Sequence, residues 1–279
     1  MYFAKYQGLG NDFILIDNRS SSKLLLSSEQ ILKMCNRHFG IGADGIIFVL
    51  AGNEISDYGM RIFNSDGSEP EMCGNGIRCL VSFISTLEKF EKTSKTYKIS
   101  TLAGIISAEL QTKKQVKVEM GIPLLLNKQI PTTLKDKNNT VINYPLEIEK
   151  EIWPVTCINI GNPHCVTFIK NSDLIDLEKL GPLFEHHSAF PERINTEFVE
   201  VIRSNYLKMR VWERGAGATL ACGTGACASV VAGVVAKKND RICTVELPGG
   251  CLSIEWMEDN GKVYMTGSAE EVFTGQYTQ

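Results

Sequence analysis

The chain has 279 residues, 43% of them hydrophobic and 22% charged, a balance too apolar for a disordered chain and long enough for one large domain or two of ordinary size. Twenty-nine Lys and Arg against 32 Asp and Glu leave a formal net charge of -3, so no positive field gathers nucleic acid or an anionic membrane. The opening Met1-Tyr2-Phe3-Ala4-Lys5-Tyr6 lacks a basic stretch followed by an apolar one, so export by a signal peptide is not expected and the cytoplasm is the default.

In chain order, Leu26 to Phe39 reads as an outer amphipathic helix, with Ser27 and Ser28 as caps and Arg37-His38 near its end. Tyr58 to Asn64 alternates as a half-buried strand does. Ile77 to Leu87 is apolar without alternation and reads as a helix. Val116 to Met120 is a further strand, closed by Gly121-Ile122-Pro123. Gln129 to Tyr144, rich in Thr, Lys and Asn, reads as a surface excursion. Asp173 to Phe184 is the second outer helix and Tyr206 to Arg214 another strand. Gly215 to Ala236 is uncharged, but glycines at 215, 217, 223, 225 and 233 interrupt it, and its apolar part is shorter than the roughly 20 residues a bilayer needs. Ala226 to Ala236 is therefore a buried helix, with Lys237 and Lys238 complementing its dipole. Val263 to Thr266 is a strand, and Gly267 to Gln279 is expected to return to the first domain.

These elements repeat. Met60-Arg61-Ile62-Phe63-Asn64 leads to Cys73-Gly74-Asn75-Gly76, and Met209-Arg210-Val211-Trp212-Glu213 leads to Cys222-Gly223-Thr224-Gly225, with thirteen positions from Met to Cys in both. Gly10-Asn11 has its counterpart in Gly161-Asn162, and Lys117-Val118-Glu119-Met120 in Lys262-Val263-Tyr264-Met265. Three colinear matches at nearly constant offset indicate a duplicated domain. The expected fold is α+β, two pseudo-symmetric domains, each a curved, mainly antiparallel β-sheet around a central helix. The division is 1–122 plus 267–279, and 123–266.

The nine cysteines form no C-x-x-C pairs, so most read as reduced core residues. The exceptions are Cys73 and Cys222, each where a glycine-containing loop enters a buried helix. A helix N-terminus attracts anions, such as the carboxylate of an amino acid, and lowers a thiol pKa. Two thiols approaching one carbon from opposite faces suit stereoinversion, where a base removes a proton on one side and an acid delivers one on the other. Zinc on Cys73, Cys79, Cys222 and Cys227 is disfavoured by spacing, and no phosphate site with a Schiff-base lysine for pyridoxal phosphate is recognisable. No metal and no cofactor are expected. A Cys73–Cys222 disulfide would abolish both roles, which favours a reducing compartment.

The stretches Asn64 to Cys79 and Glu213 to Cys227 closely resemble the two signature segments of the diaminopimelate epimerase family. The resemblance extends to Gly8-Leu9-Gly10-Asn11-Asp12-Phe13, Gly40-Ile41-Gly42-Ala43-Asp44-Gly45, Gly161-Asn162-Pro163-His164 and Asn195-Thr196-Glu197-Phe198. It implies a cofactor-independent isomerase interconverting L,L- and meso-diaminopimelate for lysine and peptidoglycan synthesis. It also implies Cys73 and Cys222 as the acid and base, with His164 and Glu213 beside them as further catalytic residues, Glu213 orienting the substrate amine or a thiol. The amides of Gly74, Asn75, Gly223 and Thr224 would then hold the α-carboxylate, and Asn11, Asn64, Asn162, Asn195 and Arg214 the distal amino acid group. The expected partners are the small-molecule substrate and a second copy in a homodimer, with no nucleic acid and no membrane. One departure stands out: Ala218 occupies the place of a family glutamate, which raises the expectation of relaxed specificity, including slow racemisation of glutamate. Proline and hydroxyproline racemases resemble the same plan and are the nearest enzymatic alternative, but their substrates have no second carboxylate for Asn64, Asn195 and Arg214 to hold. An inactive amino acid binding protein is the alternative of another class, and the loss of one cysteine that would mark it is absent.

Overall fold

The computed structural model describes residues 1–90, 94–111 and 114–278. It divides into two compact units, Met1–Glu119 with Thr266–Gln279, and Met120–Met265. The first unit contains strands β1 Tyr2–Gly8, β2 Asn11–Asp17, β3 Gly45–Asn53, β4 Ser56–Asn64, β5 Lys95–Thr101 and β6 Gly104–Leu110, and helices α1 Ser28–Cys35 and α2 Gly74–Leu87. The second contains β8 Tyr144–Ile148, β9 Glu151–Asn159, β10 Pro163–Ile169, β11 Asn195–Arg203, β12 Tyr206–Glu213, the short β13 Gly217–Ala218, β14 Ile242–Leu247 and β15 Gly250–Trp256. Its helices are α3 Leu177–Glu185 and α4 Gly223–Val235. The unit boundaries fall within β7 Gln115–Gly121 and β16 Val263–Ser268, and β17 Glu270–Gln276 ends the chain.

The duplication is written in the strand pairing. In the first unit β1 pairs antiparallel with β2, β2 parallel with β3, β3 antiparallel with β4, β4 parallel with β5, and β5 antiparallel with β6. In the second the same sequence of pairings runs β9, β10, β11, β12, β14, β15. A parallel pair needs a crossover, and a helix supplies each one: α1 and α3 link the first parallel pair of their halves, α2 and α4 the second. The return of the C-terminal segment takes the form of β17 pairing antiparallel with β1.

Each sheet is covered on both sides. α2 packs against β1, β2, β3, β6 and β17, and α4 against β9, β10, β11, β12, β14 and β15, so the strands curve around one central helix. The outer face of the first unit forms a second core of Phe3, Ile14, Ile16, Ile31, Met34, Ile46 and Phe48 beneath α1. The second unit repeats this with Phe184 of α3 edge-on to Phe198 and Trp153 at ring distances of 5.3 and 5.6 Å. Strands covered on both faces must be apolar throughout, hence the continuous runs Phe13-Ile14-Leu15-Ile16 and Ile46-Ile47-Phe48-Val49, all buried. Each such side chain contributes about 1.5–3 kcal/mol on burial.

Several expected boundaries are corrected. The outer helix does not run from Leu26 to Phe39: Ser27 caps it through a reciprocal box with Gln30, and it ends at Cys35. Asn36 turns extended, and its side-chain oxygen accepts the amides of His38 and Phe39, which takes them out of any helix. Asp173 to Phe184 is likewise two elements, a single 3₁₀ turn at Ser172–Leu174 and then α3, which Asp176 caps by accepting the Lys179 amide. The central helices start earlier than Ile77 and Ala226, at the glycine after each cysteine. The segment 129–144 is not purely a surface excursion, because Ile130 and Val141 are fully buried in the outer core of the second unit.

Candidate active site

Cys73 is the N-cap of α2. Its backbone is extended, at φ −139° and ψ 117°, and its Sγ accepts the Gly76 amide at 3.4 Å. The thiol also donates to Asn11 Oδ1 at 3.8 Å, and Asn75 Nδ2 donates to the same oxygen at 3.2 Å. Asn11 is itself held: its amide donates to Asp44 Oδ2 at 2.8 Å, while Arg37 bridges Asp44 and Asp12 at 2.9 and 2.6 Å. The buried Lys5 completes this network, 2.6 Å from Asp12 Oδ2 and donating to the Gly42 carbonyl. Burial opposes the charge on Asp12, but the hydrogen bonds from Arg37 and Lys5 outweigh it and bring the carboxyl down to about 2. Asn64 ends β4 and donates to Ser68 Oγ at 2.9 Å, within its own loop. The first half therefore brings Asn11, Cys73 and Asn75 together around one helix start, with Gly74 between the last two.

Cys222 is the N-cap of α4, 4% exposed, with its Sγ 3.6 Å from Thr224 Oγ1. Glu213, at the end of β12, accepts from the Thr219 hydroxyl. Helix α3 steadies the intervening loop: the buried carboxylate of Glu185 accepts Trp212 Nε1 at 2.7 Å and the Gly215 amide at 2.9 Å. Asn195 works as a clamp, donating to the Pro163 carbonyl at 2.7 Å and accepting the Arg214 amide at 3.0 Å. Arg214 is exposed, with Nη1 donating to the Glu192 carbonyl at 3.1 Å. Ala218 is also exposed, paired with Trp212 in the β12–β13 ladder.

His164, fully buried, has Nδ1 2.6 Å from Glu197 Oε1 and Nε2 2.8 Å from Asn162 Oδ1, so both ring nitrogens are engaged and the imidazole holds Asn162. The helix start does not lower the Cys222 thiol: burial pushes it well above the usual thiol value, and the carboxylates of Glu213 and Glu197 push it further. Glu197 lies inside one of the family-like stretches but carries no site role on sequence grounds, because a lone carboxylate reads as solvent-facing. The signal for its burial is its position two residues after Asn195, directly before Phe198-Val199 in β11.

A mixed, curved sheet around a buried helix, built twice, with a capping cysteine at each helix start, defines an isomerase of the two-domain epimerase and racemase class. The profile of the family described as diaminopimelate epimerase matches residues 3–126 and 156–272. A diaminopimelate epimerase of Rippkaea orientalis is 66% identical over 275 residues, covering 99% of this chain and 98% of its own. That of Nostoc punctiforme is 62% identical, with 98% of each covered. This chain belongs to the diaminopimelate epimerase family. The fold extends to proteins far more distant in sequence: a PhzF-family phenazine biosynthesis protein of Bacillus anthracis superposes with a TM-score of 0.70 at 18% identity, covering 100% of this chain and 99% of the other. A hydroxyproline epimerase of Agrobacterium vitis does so at 0.66 and 12%, covering 99% and 90%.

Proposed function

We propose that the protein interconverts L,L- and meso-diaminopimelate by a cofactor-independent, two-thiol mechanism, in the cytoplasm, on the route to lysine and peptidoglycan precursors. The observation that carries the reading is the duplicated N-cap cysteine, Cys73 at the start of α2 and Cys222 at the start of α4. The thiolate of one cysteine takes the α-proton, and the C–H electron pair is delocalised into the α-carboxylate. The thiol of the other delivers its proton to the opposite face. The first cysteine then carries the proton taken and the second is left as thiolate, so the reverse reaction uses the same groups in exchanged roles. The developing charge is stabilised by amides at the positive ends of α2 and α4, those of Gly74, Asn75, Gly223 and Thr224.

Asn11, Asn64, Asn162, Asn195 and Arg214 are assigned to the distal amino acid group, Asn195 by fixing Arg214 and His164 by fixing Asn162. Glu213 orients the substrate amine or the Cys222 thiol. Alanine replacement of either cysteine is expected to reduce turnover by at least about 10²-fold with the circular dichroism spectrum unchanged. A variant that keeps near-normal turnover contradicts the two-thiol reading. Dialysis against a chelator and treatment with hydroxylamine are expected to leave the wild-type rate unchanged, and a loss of rate overturns cofactor independence.

A further inference from the structure

The repeat provides an internal control for the surroundings of the two thiols. Phe13 faces Gly45 in the β2–β3 ladder, and His164 faces Asn195 in the equivalent β10–β11 ladder. Counting from these pairs, Ile47 of β3 and Glu197 of β11 hold the same place, as do Phe13 and His164. The central helices agree. A Cβ built on Gly76 of α2 would lie 3.0 Å from Ile47 Cδ1, and one built on Gly225 of α4 would lie 2.8 Å from Glu197 Oε1 and 3.2 Å from Cys222 Sγ. Where the first half has an apolar Phe13–Ile47 pair beneath its cysteine helix, the second has a His164–Glu197 pair, both side chains fully buried and 2.6 Å apart.

Such a substitution is costly. A carboxyl removed from water loses several kcal/mol of hydration unless it is paired; among the described residues Oε1 of Glu197 is paired with His164, while Oε2 is buried without a hydrogen-bond partner. A plain packing role would be filled at lower cost by a second isoleucine. Among the described residues, the charged and titratable groups facing Glu197 are His164 and Cys165 from β10, Glu213 from β12 and Cys222 from α4; those facing Cys222 are Glu213 and Glu197.

The geometry points to Glu197 as a positioning residue that makes the two thiols unequal: anchored by His164, it sets a buried carboxylate beside Cys222 where the matching place by Cys73 is apolar. The inference rests on the two-thiol reading above. Burial and the neighbouring Glu213 push the Glu197 carboxyl up while His164 draws it down; as carboxylate, held so by His164, its negative charge disfavours the neighbouring thiolate and keeps the proton on Cys222 in the free protein, in agreement with the upward direction of the thiol's titration. Substrate then meets a second half that offers a proton.

The test is the pH dependence of kcat/KM for diaminopimelate with wild type, Glu197→Gln and the double variant His164→Phe with Glu197→Ile, which copies the first half. Glutamine keeps the acceptor for His164 and removes only the charge; the double variant removes the buried pair altogether, which is often neutral or stabilising, and carries the test if the single variant fails to fold. The alkaline limb, which marks loss of the Cys222 proton, is expected to move about one unit toward lower pH in both variants, with the thermal midpoint retained. A folded variant whose alkaline limb coincides with wild type overturns the inference. A wild-type protein that does not epimerise diaminopimelate overturns the function itself, so the two failures are told apart.

Discussion

At the scale of single residues, charge placement decides the chemistry. Lys5 is buried and neutralised by Asp12, and Arg37 joins Asp12 to Asp44 behind Asn11. Removing one partner of such a group leaves an uncompensated buried charge, so Asp12→Asn is expected to cost about 3 kcal/mol and to weaken substrate binding through Asn11. Because its folded value is depressed, to about 2, Asp12 contributes stability that is full above its unfolded value near 3.9 and lost as pH falls through the folded one. The difference in denaturation midpoint between wild type and Asp12→Asn should therefore shrink between pH 5 and pH 2; a constant difference contradicts this assignment. Ala218 gives a further test. It is exposed, and the carboxylates facing Cys222 come from Glu213 and Glu197. If Ala218 broadens specificity, wild type racemises glutamate slowly, as followed by optical rotation, and Ala218→Glu suppresses this; equal rates in the two proteins exclude the residue as the cause. The place of each cysteine at a helix start was legible from the repeat. The burial of Glu197 against His164 was not, since it depends on what the sheet packs around that strand.

At the scale of elements, the two cysteines cap the starts of α2 and α4 and the glycines beside them set the spacing. Gly225 lies against both Cys222 and Glu197: a methyl group there meets Glu197 Oε1 at 2.8 Å and the thiol at 3.2 Å. Gly225→Ala is expected to reduce kcat/KM by more than tenfold while costing about 1–3 kcal/mol of stability. Gly225→Ala with wild-type kinetics would show that the thiol and the carboxylate tolerate displacement. The central helices and the strands before them were readable because a continuous apolar run and an alternating one differ in period. The ends of α1 and α3 were not, because Asn36 and Asp176 act through side-chain hydrogen bonds that a hydrophobic pattern does not report. Ile130 and Val141 lay hidden in a polar segment for a similar reason: Ile130, Leu134 and Val141-Ile142 are too sparse and too irregularly spaced to show a period.

At the scale of the whole molecule, the same order of pairings, with a helix at each parallel crossover, is built twice, and the chemistry needs what duplication supplies: two similar helix starts, each with a thiol. The most direct test is epimerisation of L,L-diaminopimelate in heavy water, followed by NMR at early times in protein free of added cofactor. The two-thiol account predicts deuterium at the inverted carbon of the meso product and none in the remaining L,L substrate, since the proton is taken on one face and a solvent-derived one delivered on the other, with this exchange lost in Cys73→Ala and in Cys222→Ala. Deuterium appearing equally in recovered substrate and product, or epimerisation persisting in either variant, would contradict it.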